Sequence, residues 1–193
     1  MRKLVILLAA LPLAACIRFG AEPPPSLLTL NAQAQVPVGQ TLNSSAASTI
    51  TIRVPSAPQE LSVQRVPVRS ADTAIAYVKD AQWVEPPARL FARLLSDTVT
   101  AQTGRVVLSG RQSNVDPGAL LTGELRSFGL DAATNEAIVT YDAALLRQGA
   151  SSFEKRRFEA RVPVSAIDAA NAGVALNAAA NRVAGEVAAW VGR

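Results

Sequence analysis

The chain of 193 residues contains no histidine and a single cysteine, Cys16. Histidine is the usual general acid or base near neutral pH, and zinc, copper and haem sites mostly use histidine or cysteine ligands. The composition therefore excludes histidine-based catalysis and argues against these metal sites and against any bound cofactor.

Two common catalytic signatures are also missing: there is no G-x-S-x-G motif and no glycine-rich phosphate loop. Ser109, within Leu108-Ser109-Gly110-Arg111, is interpreted as a strand-end or turn residue rather than a nucleophile. The sequence thus predicts a protein that is not an enzyme.

The chain also lacks a large excess of charge of either sign. Lysine occurs only at positions 3, 79 and 155, and without Arg2 and Lys3 the formal excess of basic side chains is two. A chain so nearly neutral gives no indication of a nucleic-acid partner.

The N-terminus has the pattern of a secretion signal. Arg2 and Lys3 precede an apolar run at 4–11, which is too short to cross about 30 Å of hydrocarbon as a helix. The pattern predicts a cleaved signal peptide over 1–15.

Cys16 follows Leu13, Ala14 and Ala15, the pattern that lipoprotein signal peptidase recognises. In such lipoproteins the thiol is diacylated and the freed amine is then acylated, so we expect Cys16 to attach the chain to a membrane. A non-lipidated signal with a chance cysteine is the less favoured alternative. Ile17 stands where an inner-membrane retention signal has aspartate, which favours the periplasmic face of the outer membrane.

A triple proline at 23–25 favours extended polyproline II, so residues 16–26 are predicted to form a lipidated tether. The remainder, 27–193, has the length of one domain. Its apolar patterns predict strands near 27–30, 49–54, 61–68, 73–79, 105–108, 119–126, 137–146 and 152–162, the last three as an antiparallel meander, with a long polar loop at 31–48.

Two helices are predicted. The first runs over 87–102 and stops at Gly104, with an apolar stripe of Leu90, Phe91, Leu94, Leu95 and Val99. The second follows an S-x-x-D capping pattern at Ser165 and Asp168, and its stripe comprises Ile167, Val174, Leu176, Ala180, Val183, Val187 and Trp190.

Two segments are candidate surfaces. Pro67 suggests an edge or irregular strand, and Arg65 and Arg69 beside it, with the 31–48 loop, form the predicted partner surface. The charged run at 154–157 is interpreted as a solvated sheet face or guarded edge in preference to a lipid-headgroup site.

In their order these pieces resemble the ABC-type transport auxiliary lipoproteins. The resemblance rests on Cys16, the apolar segment 27–30, the strand ending before Trp83-Val84-Glu85-Pro86, the helix after it, and the strand at 153–161 that leads into an alanine-rich helix. It departs at Leu27 and Leu28, where an aromatic pair is usual.

The resemblance implies a single α/β domain with a mixed sheet of about five strands flanked by helices, similar to the anticodon-binding-like domain at the start of TolB. It implies an accessory role in phospholipid transport, with an MCE-domain protein and an ABC permease as partners and possible homo-oligomers. A structural or assembly lipoprotein of another envelope complex is the alternative.

Overall fold

A computed structural model describes residues 26–43, 48–109, 112 and 118–193. These residues form one α/β domain, which confirms the predicted fold class, although the sheet has seven strands rather than about five. The strands are β1 Thr49–Ile52, β2 Arg65–Ala71, β3 Ala74–Gln82, β4 Val106–Leu108, β5 Ala119–Asp131, β6 Glu136–Leu146 and β7 Glu154–Pro163; the helices are α1 Pro87–Thr103 and α2 Ala169–Val191.

Strand β5 is the centre of the sheet. Along one side it pairs antiparallel with β6, and β6 pairs antiparallel with β7, so the predicted meander is confirmed. Along its other side β5 pairs parallel with β1 near its start and with β2 near its end. Strand β4 lies beyond β1, and β3 lies beyond β2.

Both helices pack on the same face of this sheet. The ring of Phe91 on α1 lies 5.3 Å from that of Tyr141, and Trp190 on α2 lies 5.6 Å from Phe158. Because Tyr141 and Phe158 are register partners, they point to the same side. The opposite side, which carries Asp142 and Arg157, is called the open face below.

The first helix matches its prediction closely. It begins at Pro87, where a missing N–H is harmless, and its apolar stripe is buried as expected. Gly104 ends the helix in the left-handed conformation (φ 67°), which a residue without a side chain adopts most readily. Its N–H donates to the carbonyl of Thr100.

The start and part of the stripe of α2 differ from the prediction. Asp168 rather than Ser165 is the N-cap, because its carboxylate accepts from the Asn171 N–H at 2.9 Å. Val174 is exposed because it lies about 200° around the helix from buried Leu176, and Ile167 precedes the helix and is also exposed.

The predicted first strand is reduced to a single bridge. Leu28 pairs parallel with Trp83: its N–H donates to the Gln82 carbonyl at 2.7 Å, and its own carbonyl accepts from the Val84 N–H at 2.9 Å. Asn31 then hydrogen-bonds to α2, so the start of the predicted loop is fixed on the helix side of the sheet.

Candidate docking surfaces

The predicted edge position of Arg65 and Arg69 is wrong. Both lie on β2, which is an interior strand between β3 and β5. The irregularity that Pro67 suggested is present, because the β2–β3 register shifts between Arg65 and Pro67. A proline is tolerated there because the ladder is interrupted at that point.

Each of these arginines is nevertheless exposed and makes no ion pair within the described residues. The guanidinium of Arg65 lies 4.2 Å from the ring centroid of Tyr77, a cation–π contact. Arg69 donates to the Asp72 carbonyl at 3.4 Å, a long hydrogen bond in the turn between β2 and β3. Both side chains therefore keep donors available for a partner.

Arg69 also borders a pocket on the open face. The residues that line the pocket include the apolar Leu61, Pro67 and Ile138 and a second arginine, Arg126. The 31–43 segment lies instead against α2 and beside α1, on the helix side. The structure thus does not bring the two halves of the predicted partner surface together.

The open face carries a network of ion pairs that the sequence analysis missed. Arg157 on β7 donates two hydrogen bonds to Asp142 on β6, at 2.6 and 2.8 Å, and Arg126 on β5 lies 3.5 Å from the same carboxylate. The hydrogen bond from Arg157 is the main cause that lowers the pKa of Asp142. The alternation of charged and apolar residues along 157–162 was the available signal for this face.

A second group of the network lies at the other end of β7. Arg161 pairs with Glu159 at 2.8 Å and with Glu136 at 3.4 Å, and Thr140 donates to Glu159 at 3.0 Å. The hydrogen bond from Arg161 lowers the pKa of the Glu159 carboxyl. Because these pairs are exposed, they fix side-chain positions more than they stabilise the fold.

The charged run at 154–157 is exposed, in agreement with the favoured interpretation. Glu154 accepts two hydrogen bonds from Arg147, whereas Lys155 makes no ion pair within the described residues.

A Ser–Lys catalytic pair is a further possibility to test against the structure, because Ser152 and Lys155 have the S-x-x-K spacing of some serine enzymes. Ser152 lies just before the extended strand β7 and does not open a helical turn, and the side chains of Ser152 and Lys155 are both exposed. The two residues therefore do not form the buried Ser–Lys contact that this chemistry needs.

Across the described ranges there is no group of side chains that could hold a metal ion, and no helix is long and apolar enough to span a membrane. Leu13, Ala14, Ala15 and Cys16 lie outside the described residues, so the predicted signal and lipid attachment remain predictions.

Comparison with known proteins agrees with this architecture. The family model described as "ABC-type transport auxiliary lipoprotein component" matches residues 28–188, so the chain belongs to that family. Comparison with curated proteins found no match.

Two crystal structures share the fold. One is of a Xanthomonas campestris protein of the DUF330 family, with a TM-score of 0.66 and 19% identity over 86% of this chain and 92% of that one. The other, of an uncharacterised protein, has a TM-score of 0.66 and 14% identity over 86% and 97%.

Proposed function

We propose that this protein is an outer-membrane lipoprotein, attached on the periplasmic face through acylated Cys16, that assists an ABC transport system for phospholipid by docking to its MCE-domain protein. The observation that carries the proposal is the family match, which spans the folded domain from Leu28 to Ala188. The lipoprotein signal ending at Cys16 supports the location.

Docking is favoured over lipid carriage by the chemistry of the open face. Its carboxylates and guanidinium groups are paired in fixed positions, as at Asp142 and Arg157, and such a surface suits a polar protein partner better than acyl chains. No chemical step is assigned to the protein.

The test is a pull-down, by the full chain in detergent, of an MCE-domain protein and an ABC permease from the same organism. Arg65→Ala and Arg69→Ala should weaken capture without changing the circular dichroism spectrum, because exposed arginines are frequent anchors of interfaces. Arg89→Ala, on the exposed side of α1, is the matched control.

A wild-type chain that never captures either protein but extracts phospholipid from vesicles would be a lipid carrier, and the docking role would then be wrong. Light scattering of the same preparation measures whether the chain self-associates.

A further inference from the structure

Strand β7 is unpaired along its outer side. On its inner side it pairs with β6 through ten successive residues, from Glu154 with Leu145 to Pro163 with Glu136, without a register shift. In the sheet formed by the described residues it has no other neighbour. The outer side of Glu154–Pro163 is called the β7 edge below.

The register shows which backbone groups point outward. Val164 donates its N–H to the Asn135 carbonyl at 2.8 Å, so even-numbered residues direct their N–H and C=O toward β6 and odd-numbered residues direct theirs away. Arg161 agrees with this alternation, because its carbonyl accepts from the guanidinium of Arg182 on α2 at 3.4 Å. The N–H and C=O groups of residues 155, 157 and 159 are therefore presented outward.

Apart from the charged side chains of 154–157, the usual protections of an edge strand are lacking here. The β7 edge has no bulge, and its proline, Pro163, comes at the very end. Its charged side chains at 157 and 161 are drawn sideways onto the open face by Asp142 and Glu136. The main chain between them stays accessible.

The charged side chains of β6 and β7 indicate which kind of strand would pair with the β7 edge. Acidic Asp142 on β6 lies directly opposite basic Arg157 on β7, whereas acidic Glu136 reaches Arg161 diagonally, because its own register partner is Pro163. The same cross-strand rule favours acidic residues on a strand added outside β7, because residues 155–157 are all basic and Lys155 makes no ion pair within the described residues. A second copy of β7 is a weaker match, since 154–161 contains four basic and two acidic side chains. Even the antiparallel register that sets Arg157 opposite Glu159 also sets Lys155 opposite Arg161.

We propose that the β7 edge binds an extended acidic segment of a partner protein as an added strand. The segment pairs its main chain with residues 155, 157 and 159 and places carboxylates beside Arg157 and Arg161, with an uncharged residue opposite Glu159. This proposal gives the docking function a binding mode, and it rests on the proposed function only for the identity of the partner.

The test uses the full chain in detergent and a capped peptide, Val-Glu-Val-Thr-Val-Glu-Val, with a peptide carrying lysine in place of glutamate as control. Hydrogen exchange is measured residue by residue. The acidic peptide should slow exchange at amides 155, 157 and 159 by at least about tenfold, because they gain hydrogen bonds, and should leave the already bonded even-numbered amides unchanged. Equal protection by the lysine peptide, or none by either, would overturn the proposal.

Lys155→Pro tests the main-chain contact directly, because it removes an outward N–H without removing a bond to β6. It should weaken peptide binding at least about fivefold, the effect of losing one or two hydrogen bonds. Lys155→Ala removes the charge but keeps the N–H and should bind within about twofold of wild type. Equal loss in both variants would mean that the side chain, not the backbone, is recognised.

Two further arms separate the alternatives. Protection of the odd-numbered amides by the chain alone, growing with its concentration, would assign the edge to a second copy; protection by anionic vesicles and not by peptide would assign it to a membrane. If the peptide binds but the MCE protein is not captured, the β7 edge is a binding site and the proposed function is wrong. If Lys155→Pro does not change capture of the MCE protein, the proposed function is supported and the β7 edge is not the docking site.

Discussion

The phenol of Tyr141 on β6 donates a hydrogen bond of 3.0 Å to the carbonyl of Thr122 on β5. The neighbouring Gly123 makes room for this ring: a Cβ there would lie 2.8 Å from the Tyr141 ring and would also collide with the Asp142 carbonyl. The contact thus depends on a glycine in the middle of a long strand, where glycine is otherwise unfavourable.

Gly123→Ala should lower the free energy of unfolding by about 1–3 kcal/mol, because the added methyl group forces a backbone or ring shift in a packed core. Chemical denaturation measures the change. Gly185→Ala on α2 is the control: its Cβ meets nothing closer than 3.8 Å, so it should stabilise by about 0.5–1 kcal/mol. Equal stability of the two variants would contradict the close packing at Gly123.

Tyr141→Phe should destabilise by about 0.5–1.5 kcal/mol at neutral pH through loss of the hydrogen bond to Thr122. Burial raises the pKa of Tyr141 above its ordinary 10.0, so the buried neutral phenol contributes stability that is present below pH 10.0 and is lost as the pH rises beyond it. Denaturation at several alkaline pH values should show the gap between wild type and variant closing. A constant gap would argue against a buried phenol.

Asp142→Asn should cause a small loss of stability at neutral pH, less than that of Tyr141→Phe, because the carboxylate is only half-buried and its ion pair is screened by solvent. Arg157 lowers the pKa of Asp142 below its ordinary 3.8, so the contribution is present above that pH and disappears as the pH falls through the lowered value. Thermal unfolding at pH 7 and at acid pH tests this. The same substitution made in an Arg157→Gln background should show a smaller pH dependence; an equal one would mean that the ion pair with Arg157 is not the cause.

Trp83→Ala should destabilise by about 3–5 kcal/mol, because the side chain is fully buried with its ring 5.5 Å from that of Phe128. Val84→Ala, at the exposed next position, should change the melting temperature little. A melting temperature for Trp83→Ala close to that of Val84→Ala would contradict the packing described.

Cys16→Ser should abolish acylation, because the thiol is the proposed attachment atom and the chain has no other cysteine. Metabolic labelling with a palmitate analogue measures this, with wild type as the positive control. Equal label in the two proteins would remove the lipoprotein assignment and, with it, the proposed anchoring.

Local patterns in the sequence predicted much of the fold. Alternation located β6, and Gly104 located the end of α1 to within one residue. The pattern of β5 was followed only to Arg126, where the structure has a bulge: Leu125 pairs with Tyr141 and Ser127 with Thr140. The extra residue returns Phe128 to the core, which simple alternation does not predict.

Strand order could not be predicted in the same way. Pro67 suggested an edge, but β2 is covered by β5 near Val68, a contact between residues far apart in the chain. In the described part of the chain β7 is an edge strand, as are β3 and β4, which agrees with the solvated face or guarded edge that its charged sequence suggests. Local patterns specify which residues are extended, whereas neighbours across the sheet depend on the whole topology.

The bridge between Leu28 and Trp83 determines at which margin of the sheet the chain enters the domain. Leu28 lies outside β3, whereas β7 is at the opposite margin, five strand spacings or about 24 Å away. The twelve residues from Cys16 to Leu28 reach at most about 40 Å. Because that reach exceeds the distance of about 24 Å between the two margins, a lipid on Cys16 would not fix which margin faces the bilayer. The bridge at Leu28 instead keeps the entering chain beside β3, so that it leaves the outer side of β7 open to a partner strand.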